Sequence, residues 1–541
     1  MLRRHRGAVA LAVLAGVAAG GSSALLIALI SLIQLHGVEP VDGAPREMLA
    51  FVVLAVLTFL AHTSSQIASI RLAETALVDI RIGMAERLMG TSLRRLEEAG
   101  HASILSMLTE DAERLKDAIR TIPDLFIHSA EVLGCLIYLG WMSWKVLVIV
   151  LLTVIAGHLL NAILSRSAWR FFEQARTEQA TVLSHLQRLT AGIKELKLHQ
   201  DRSRSFLRDG LQASSQRLQR DLVAGTALLA TSASSLQLLL FGAFCVILFA
   251  PVYAPWLEIG RAGAYGLAII YMINSIYIIA ARMPIFARAR ISLERLEHLG
   301  LGLDTGDAGI TAAPEPARPA VLRSGIELRQ VVHTYIGEDQ SAFTLGPIDF
   351  HIPRGQLLTV AGYNGSGKTT LAKIITGLYV PESGQVLLDG EEITDATRGS
   401  YRQLFSTVFS DFYLSERLDE IAVPDLEASA RKYLAMLRLD HKVQIREGRL
   451  STTALSQGQR KRLALLNTYL EDRQVYLFDE WAADQDPVFK SVFYRQLLPD
   501  LKQRGKTVIV ISHDDRYFDI SDRVLTLVDG RIGNNDIFGA R

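Results

Sequence analysis

The residues Leu357-Leu358-Thr359-Val360-Ala361 lead without a break into Gly362-Tyr363-Asn364-Gly365-Ser366-Gly367-Lys368-Thr369, and a helix-forming run begins at Thr370. An apolar strand, a glycine-rich loop and a helix start form the P-loop pattern in the context it requires. Gly362, Gly365 and Gly367 let backbone N–H groups approach phosphate oxygens, and the helix N-terminus adds the positive end of its dipole. Lys368 supplies a mobile cation to the β- and γ-phosphates, and the Thr369 hydroxyl is a candidate Mg²⁺ ligand. Asn364, Ser366 and Thr370 complete this set of candidate ATP contacts.

Two further strands point at the same place. Val475–Phe478 ends in Asp479-Glu480, and a carboxylate at the tip of a buried strand beside a P-loop suits the Mg²⁺ side of a nucleotide, hence Asp479. Glu480, one residue on, is placed to polarise an attacking water as general base. Thr507–Ile511 ends in Ser512-His513-Asp514, which puts a neutral imidazole, His513, within reach of a γ-phosphate. From Ile326 onward short β-branched runs alternate with helical stretches, so a largely parallel α/β sheet is expected.

The first half reads differently. About 20 apolar residues are needed to cross a bilayer as helix, and Ala8–Leu35 exceeds that with no charge inside it. Leu49–Ile70, Ile122–Gly140, Val146–Leu164, Leu222–Pro251 and Ala262–Ala281 follow. Six lipid-crossing helices are expected, because the runs lack the alternation of a barrel. Arg3, Arg4 and Arg6 precede the first span, while the next short loop carries Glu39, Asp42, Arg46 and Glu47; this bias puts the N-terminus in the cytoplasm. The first apolar run is longer than a signal peptide's, so it reads as an uncleaved anchor. Outer connections are short (His36–Met48, Trp141–Lys145, Val252–Arg261), whereas inner ones, Arg71–Thr121 and Ser165–Asp221, are long and helix-like. The expected organisation is a membrane domain at 1–299, a Gly/Ala/Pro-rich linker at 300–325 and a nucleotide domain at 326–541.

Composition sets outer limits. The 541 residues are 49% hydrophobic yet 21% charged, a mixture suited to a membrane part fused to a soluble one. The net charge of +1 gives no support to a nucleic-acid partner. Cys135 and Cys245, the two cysteines, sit inside apolar runs, which speaks against a disulfide framework or thiolate metal site.

Between the P-loop and Asp479 lies Ala454-Leu455-Ser456-Gln457-Gly458-Gln459-Arg460, ahead of the helix-like Lys461–Tyr469. The LSQGQ run resembles the signature motif of ATP-binding cassette (ABC) transporters, usually written LSGGQ. The resemblance spans nearly the whole chain and implies the exporter fold, an α-helical membrane domain of six transmembrane helices with long cytoplasmic extensions plus an α/β P-loop cassette. Carried over residue by residue, it implies that Tyr335 stacks on adenine and that Lys368, Thr369, Asp479, Glu480 and His513 hold the phosphate, Mg²⁺, base and switch positions. It implies too that Asp486 touches the opposite cassette, and that Ser456, Gln457, Gly458 and Gln459 belong to the turn that meets ATP on the other protomer. ATP and Mg²⁺ are the implied cofactors. One signature and one P-loop per chain then call for a dimer, most simply a homodimer with two equivalent sites. Two departures stand out: Ser410, in Val408-Phe409-Ser410-Asp411-Phe412, occupies the place of the family's Gln, and Gln457 replaces the first signature Gly.

A finer resemblance is carried by Gly192–His199 (GIKELKLH), by Phe409–Phe412 and by Ser451–Leu463. These stretches look like bacterial cyclic-peptide and peptide-siderophore exporters, a family that includes the exporter of the pyoverdine precursor. The similarity implies a small peptide-like cargo moved from cytoplasm to periplasm across the bacterial inner membrane; any outer-membrane partner is left open. Asp124, His128 and Glu131, at i, i+4 and i+7, share one face of the third span and are candidate cargo contacts; Tyr271, Asn274 and Tyr277 form a polar–aromatic stripe in the last span, read first as helix packing, with Tyr271 and Asn274 as further candidate contacts. Pairing of the acidic residues with a basic side chain of a neighbouring helix is the competing reading. Alternatives for the whole chain are a lipid flippase or multidrug exporter of the same fold, and a nucleotide-gated regulator.

Overall fold

The computed structural model describes residues 6–36, 44–249, 262–298, 320–336, 342–419, 421, 424–533 and 537–538. The connection Val252–Arg261 and most of the expected linker lie outside these residues. The chain forms two compact units, Met1–Gly90 with Ala99–Asp304, and Thr91–Glu98 with Thr305–Arg541.

The first unit is helical. Its elements are α1 (Arg6–His36), α2 (Ala44–Gly90), then α3 (Leu93–Ala99), most of which belongs to the other unit, α4 (His101–Ser106), α5 (Ala112–Met142), α6 (Trp144–Ala191), α7 (Ile193–Leu198), α8 (Gln200–Ser205), α9 (Ala213–Phe249) and α10 (Ala262–His298). Six helical stretches among the described residues are long and apolar enough to cross a membrane. Beyond α1 the apolar runs mark only part of the helix: α2 continues twenty residues past Ile70 to Gly90, and α6 runs on from Leu164 to Ala191. Charged residues and Ser or Thr take over there without any helix-stopping signal, so the backbone hydrogen bonds simply continue.

Close packing between α1 and α5 rests on small residues. Gly16, Gly20 and Ala24 recur every four residues on α1, and a Cβ at Gly20 would meet Ile127 O of α5 at 2.2 Å. A Cβ at Gly134 would meet the Ala24 methyl at 2.4 Å. In lipid there is no hydrophobic drive between helices, so such close approach and interhelical hydrogen bonds hold them together. Ser65 Oγ donates to Ala12 O at 3.1 Å from α2, and Ser232 Oγ of α9 donates to Asn161 Oδ1 of α6 at 2.5 Å. Further along, Asp111, 1% exposed in a one-turn π-helix, accepts from Ser292 Oγ of α10 at 2.6 Å and from Arg114 at 3.0 Å.

The second unit contains β1 (Gly325–Ile336), β2 (Ala342–Pro353), β3 (Leu357–Gly362), β4 (Ser383–Leu388), β5 (Glu391–Glu392), β6 (Phe405–Val408), β7 (Ile445–Arg446), β8 (Arg449–Leu450), β9 (Val475–Asp479), β10 (Thr507–Ile511), β11 (Arg523–Val528), β12 (Arg531–Ile532) and β13 (Ile537–Phe538). The main sheet runs β12-β11-β3-β10-β9-β6, with β13 beside β11; β3, β6, β9, β10 and β11 are mutually parallel. The expectation of one largely parallel sheet from Ile326 onward holds only for this part. β1, β2, β4 and β5 form a separate antiparallel sheet, because β1 and β2 are joined by too short a connection for a crossover.

Both faces of the parallel sheet are buried, as such sheets require. Tyr476, Phe478, Val508 and Val510 point into a core shared with the helices Leu426–Met436 and Gln457–Glu471. Their neighbours Val475, Leu477, Ile509 and Ile511 point the other way, into a core shared with Ile326, Leu328, Leu345 and Ile348 of the antiparallel sheet. The strand tips are thereby fixed, and the loops after β3, β9 and β10 hang on them. The excursion Thr91–Glu98 is part of this unit: Lys373 Nζ donates to Glu97 at 2.6 Å, Tyr379 also bonds Glu97, and Arg94 pairs with Glu382 at 2.8 Å.

The glycine stripe generates a test. Gly20→Val is expected to destabilise the membrane unit by about 1–3 kcal/mol through overpacking. Gly21→Val, where an added Cβ meets nothing within 4 Å, should change the detergent-solubilised melting temperature far less.

Candidate functional site

The P-loop is a turn that only glycine can make at two points. Gly362, at the end of β3, has φ 153°, and a Cβ there would lie 2.5 Å from Leu527 O and 2.6 Å from Ser366 Oγ. Gly367 adopts a left-handed conformation (φ 96°) and caps the helix Lys368–Ile375. Lys368 folds back over the loop, its Nζ donating to Gly362 O at 2.9 Å and Tyr363 O at 2.8 Å, 3.7 Å from Glu480 Oε1. Its side chain is only 5% exposed. An ammonium held this way by neutral carbonyls is ready to be exchanged onto phosphate oxygens.

Thr369 Oγ1 donates to Asp479 Oδ2 at 3.0 Å. Asp479 is fully buried at the tip of β9, and its Oδ1 has no partner among the described residues. Burial pushes its carboxyl above the usual range; the Thr369 hydroxyl opposes this, while the neighbouring charges of Glu480 and Asp411 add to it. Ser366 Oγ is likewise buried and unpartnered. Two orphaned oxygens beside a cradle of amides fit a Mg²⁺-bound triphosphate, with Thr369 and Asp479 as the residues to hold the metal.

Glu480 follows in a left-handed backbone conformation (φ 48°). Its N–H donates to Ile511 O at 3.1 Å, and its side chain remains partly accessible. A crevice of about 10 Å³ lined by Glu480, Ser512, His513 and Asp514 joins the general-base candidate to the histidine, a space close to that of one water. A cleft of about 500 Å³ is lined by Tyr335, Phe343, Asn364, Gly365, Gly367, Lys368, Thr369, Thr370 and Glu480. Tyr335 stands opposite Phe343 in the β1/β2 register and is half-exposed. Phe343 is a second aromatic that sequence reasoning missed, since nothing in its own stretch marks it and only the strand register brings it to Tyr335.

The structure does not bring the signature to this cleft. Ser456 caps the helix Gln457–Glu471, its Oγ accepting from Gln459 N while Gln459 Oε1 accepts from Ser456 N. Gly458 O accepts from Gln485 Nε2 at 2.9 Å, and the Gln457 side chain bonds Asp484 at 3.2 Å. Asp486 caps the helix Pro487–Val492 through Phe489 N at 2.9 Å and pairs with Arg462; the Phe489 amide first, then the guanidinium, hold its carboxyl below the usual range. Ser410 is exposed after β6, whose Val408 lies beside Phe478 of β9, so Phe409–Asp411 leaves the sheet next to Asp479 and Glu480. Asp411, whose charge reaches Asp479, is another residue the sequence reading did not single out.

In the membrane unit, Asp124 accepts from Gln66 Nε2 at 3.0 Å and lies 3.5 Å from Arg282 of α10. Glu131, 5% exposed, has three partners: His128 Nδ1 lies 2.8 Å from one oxygen, Ser275 Oγ donates to the same oxygen at 2.7 Å, and Tyr271 donates to the other at 2.8 Å. Tyr271 thus joins the face of α5 that sequence spacing defined, whereas Asn274 and Tyr277 are exposed on the single chain. Ser275 carries no pattern that would have singled it out.

Residues 345–483 match the ABC transporter family, and residues 9–276 match the ABC transporter transmembrane region. Over 499 residues the chain is 38% identical to the ATP-binding protein SyrD of Pseudomonas syringae pv. syringae, covering 89% of this chain and 87% of that one. The chain belongs to the ABC transporter family. This ABC transporter is also 23% identical over 472 residues to an ATP-dependent lipid A-core flippase of Pectobacterium atrosepticum, covering 84% of this chain and 79% of that one. Its fold is shared with a bacterial Atm1-family ABC exporter with ATP bound, at a TM-score of 0.76 and 19% identity over 99% of this chain and 95% of that one. It is a multi-pass membrane protein with a fused ATP-binding cassette on the cytoplasmic side.

Lys368 provides the direct check on the cleft. Lys368→Ala is expected to weaken binding of a fluorescent ATP analogue at least about tenfold and to abolish the rise in melting temperature that ATP gives.

Proposed function

We propose that this ABC transporter works as an ATP-hydrolysing exporter, a homodimer that moves a small peptide-like molecule from cytoplasm to periplasm across a bacterial inner membrane. The observation that carries the reading is the convergence of Lys368, the Thr369–Asp479 pair and Glu480 on one cleft of a cassette fused to six lipid-crossing helices. Ser456 and Gly458 sit outside that cleft, so a site with both P-loop and signature takes two chains head to tail.

In this reading Tyr335 and Phe343 clasp the base and the P-loop amides hold the phosphates. Lys368 moves from the carbonyls of Gly362 and Tyr363 to the β/γ oxygens. Thr369 and Asp479 would hold Mg²⁺, which would neutralise charge on the phosphates. Glu480 accepts a proton from the water that attacks the γ-phosphorus, His513 orients that water, and the bond to ADP breaks in line. Closure of the two cassettes turns the membrane cavity outward and hydrolysis resets it.

The peptide character of the cargo is supported by the likeness of Gly192–His199, Phe409–Phe412 and Ser451–Leu463 to peptide-siderophore exporters. Asp124, His128, Glu131, Tyr271 and Asn274 remain the proposed cargo-side residues, with Glu131 acting through the hydrogen bonds that tie α5 to α10. The similarity to a lipid A-core flippase favours a second reading, lipid export, which predicts ATPase stimulation by lipid rather than peptide.

Glu480→Gln is expected to reduce ATP turnover by a factor of at least about 10² while leaving ATP-induced dimerisation intact; turnover near the native rate would remove Glu480 from the base role. For the cargo, comparative metabolite analysis of cells with and without the gene should show one peptide product retained in the cytoplasm. Retention of a lipid instead would select the second reading.

A further inference from the structure

The ATP chemistry leaves one buried cation unused. Lys461 is 4% exposed inside the second unit, and a buried ammonium is stable only when its donors are met. Its Nζ lies 2.7 Å from Asp484 Oδ2 and donates to the backbone carbonyl of Glu480 at 3.2 Å. Asp484 Oδ2 also accepts from Gln457 Nε2 at 3.2 Å. Gln457 and Lys461 are four residues apart on one helix, so both side chains leave the same face and converge on one carboxylate. A second tie runs parallel to the first: Trp481, 1% exposed and next to Glu480, donates its Nε1 to Lys461 O at 2.7 Å.

The two ends of this chain of contacts are functionally distinct. One end is the signature turn, where Ser456 and Gln457 open the helix. The other is the peptide of Glu480, a non-glycine residue held left-handed, a conformation that persists only where its surroundings over-determine it. Lys461 grips its carbonyl while Ile511 O takes its N–H.

We infer that Gln457, Lys461 and Asp484 are positioning residues that connect the signature turn of each protomer to that protomer's own catalytic glutamate. The inference rests on the head-to-tail arrangement proposed above. There, the signature of one protomer meets the nucleotide held by its partner, while its Glu480 acts on the nucleotide held by its own P-loop. Gln457–Asp484–Lys461 therefore spans from one ATP to the other, and nucleotide at one site sets the base at the second. The Gly at the first signature position of the family pattern has no side chain for such a link; Gln457 supplies one.

The test uses full-length mixed dimers purified through two different tags, with Glu480→Gln in one protomer so that a single base remains. Lys461→Met in the protomer that keeps Glu480 is expected to lower kcat at least about tenfold with KM for ATP changed less than about twofold. The same substitution in the Glu480→Gln protomer should leave the remaining rate close to that of the mixed dimer without it. In the homodimer, Lys461→Met should bring the Hill coefficient for ATP down to one. Gln457→Ala, which leaves Lys461 paired and removes only an exposed amide, should act in the same direction if Lys461→Met fails to fold. Equal loss in both arrangements would mean a merely structural role of the signature helix, and no loss in either would mean no link; either result overturns the inference. Failure of the underlying arrangement shows separately, as Glu480→Gln homodimers that do not associate with ATP.

Discussion

A carboxylate at the end of a strand buried on both faces is held at a free-energy cost unless positive charge meets it. Asp479 is in that position, with one oxygen satisfied by Thr369 and the other by nothing among the described residues. An unsatisfied buried acceptor costs about 1–3 kcal/mol, and here Glu480 and Asp411 add like charge. The cassette tolerates this because two packed cores fix the strand tips from opposite sides of the sheet. The same rigidity holds Glu480 in its left-handed conformation and sets the glycine turns of the P-loop. In the proposed function, a cation bound with the triphosphate would meet that unsatisfied oxygen at the point where Thr369, Asp479 and Lys368 converge.

The membrane unit solves the opposite problem. Without water to drive helices together, α1 and α5 meet through glycine and alanine, and polar groups are tied across helices. Glu131 shows how: its two oxygens are shared among His128, Tyr271 and Ser275. Such a group is a joint between α5 and α10 before it is anything else, and cargo reaching it would have to compete with those bonds. Thr91–Glu98, although flanked by α2 and α4, folds with the cassette through Glu97 and Arg94.

The legible parts of the sequence were those whose chemistry is written in consecutive residues. Gly362–Thr370, Ser456–Gln459 and Asp479-Glu480 each announce a local geometry, and the structure places the first and last in one cleft. Six apolar runs announced six helices, and the helix-like inner stretches after Ile70 and Leu164 announced that they run on, as α2 and α6 do to Gly90 and Ala191. The antiparallel sheet was missed, since short β-branched runs look alike whichever way they pair and only the β1/β2 connection decides. Asp411, Ser275 and Asp484 were missed because each matters through a partner far away in the chain, and Phe343 because only the hairpin register sets it opposite Tyr335. The spacing of Asp124, His128 and Glu131 did define a helix face, but it could not show that Arg282 and Tyr271 would answer it.

All of this depends on a triphosphate being enclosed between the P-loop of one chain and the signature of another. Paired cysteines test that contact directly. With Cys135 and Cys245 replaced by Ala, full-length Asn364→Cys and Ser456→Cys chains, each with its own tag, can be mixed and oxidised with and without ATP in a Glu480→Gln background. The account predicts a disulfide-linked dimer joining the two kinds of chain that forms when ATP is present and is lost when ATP is withheld. A preparation that binds ATP yet gives no such cross-link would contradict it.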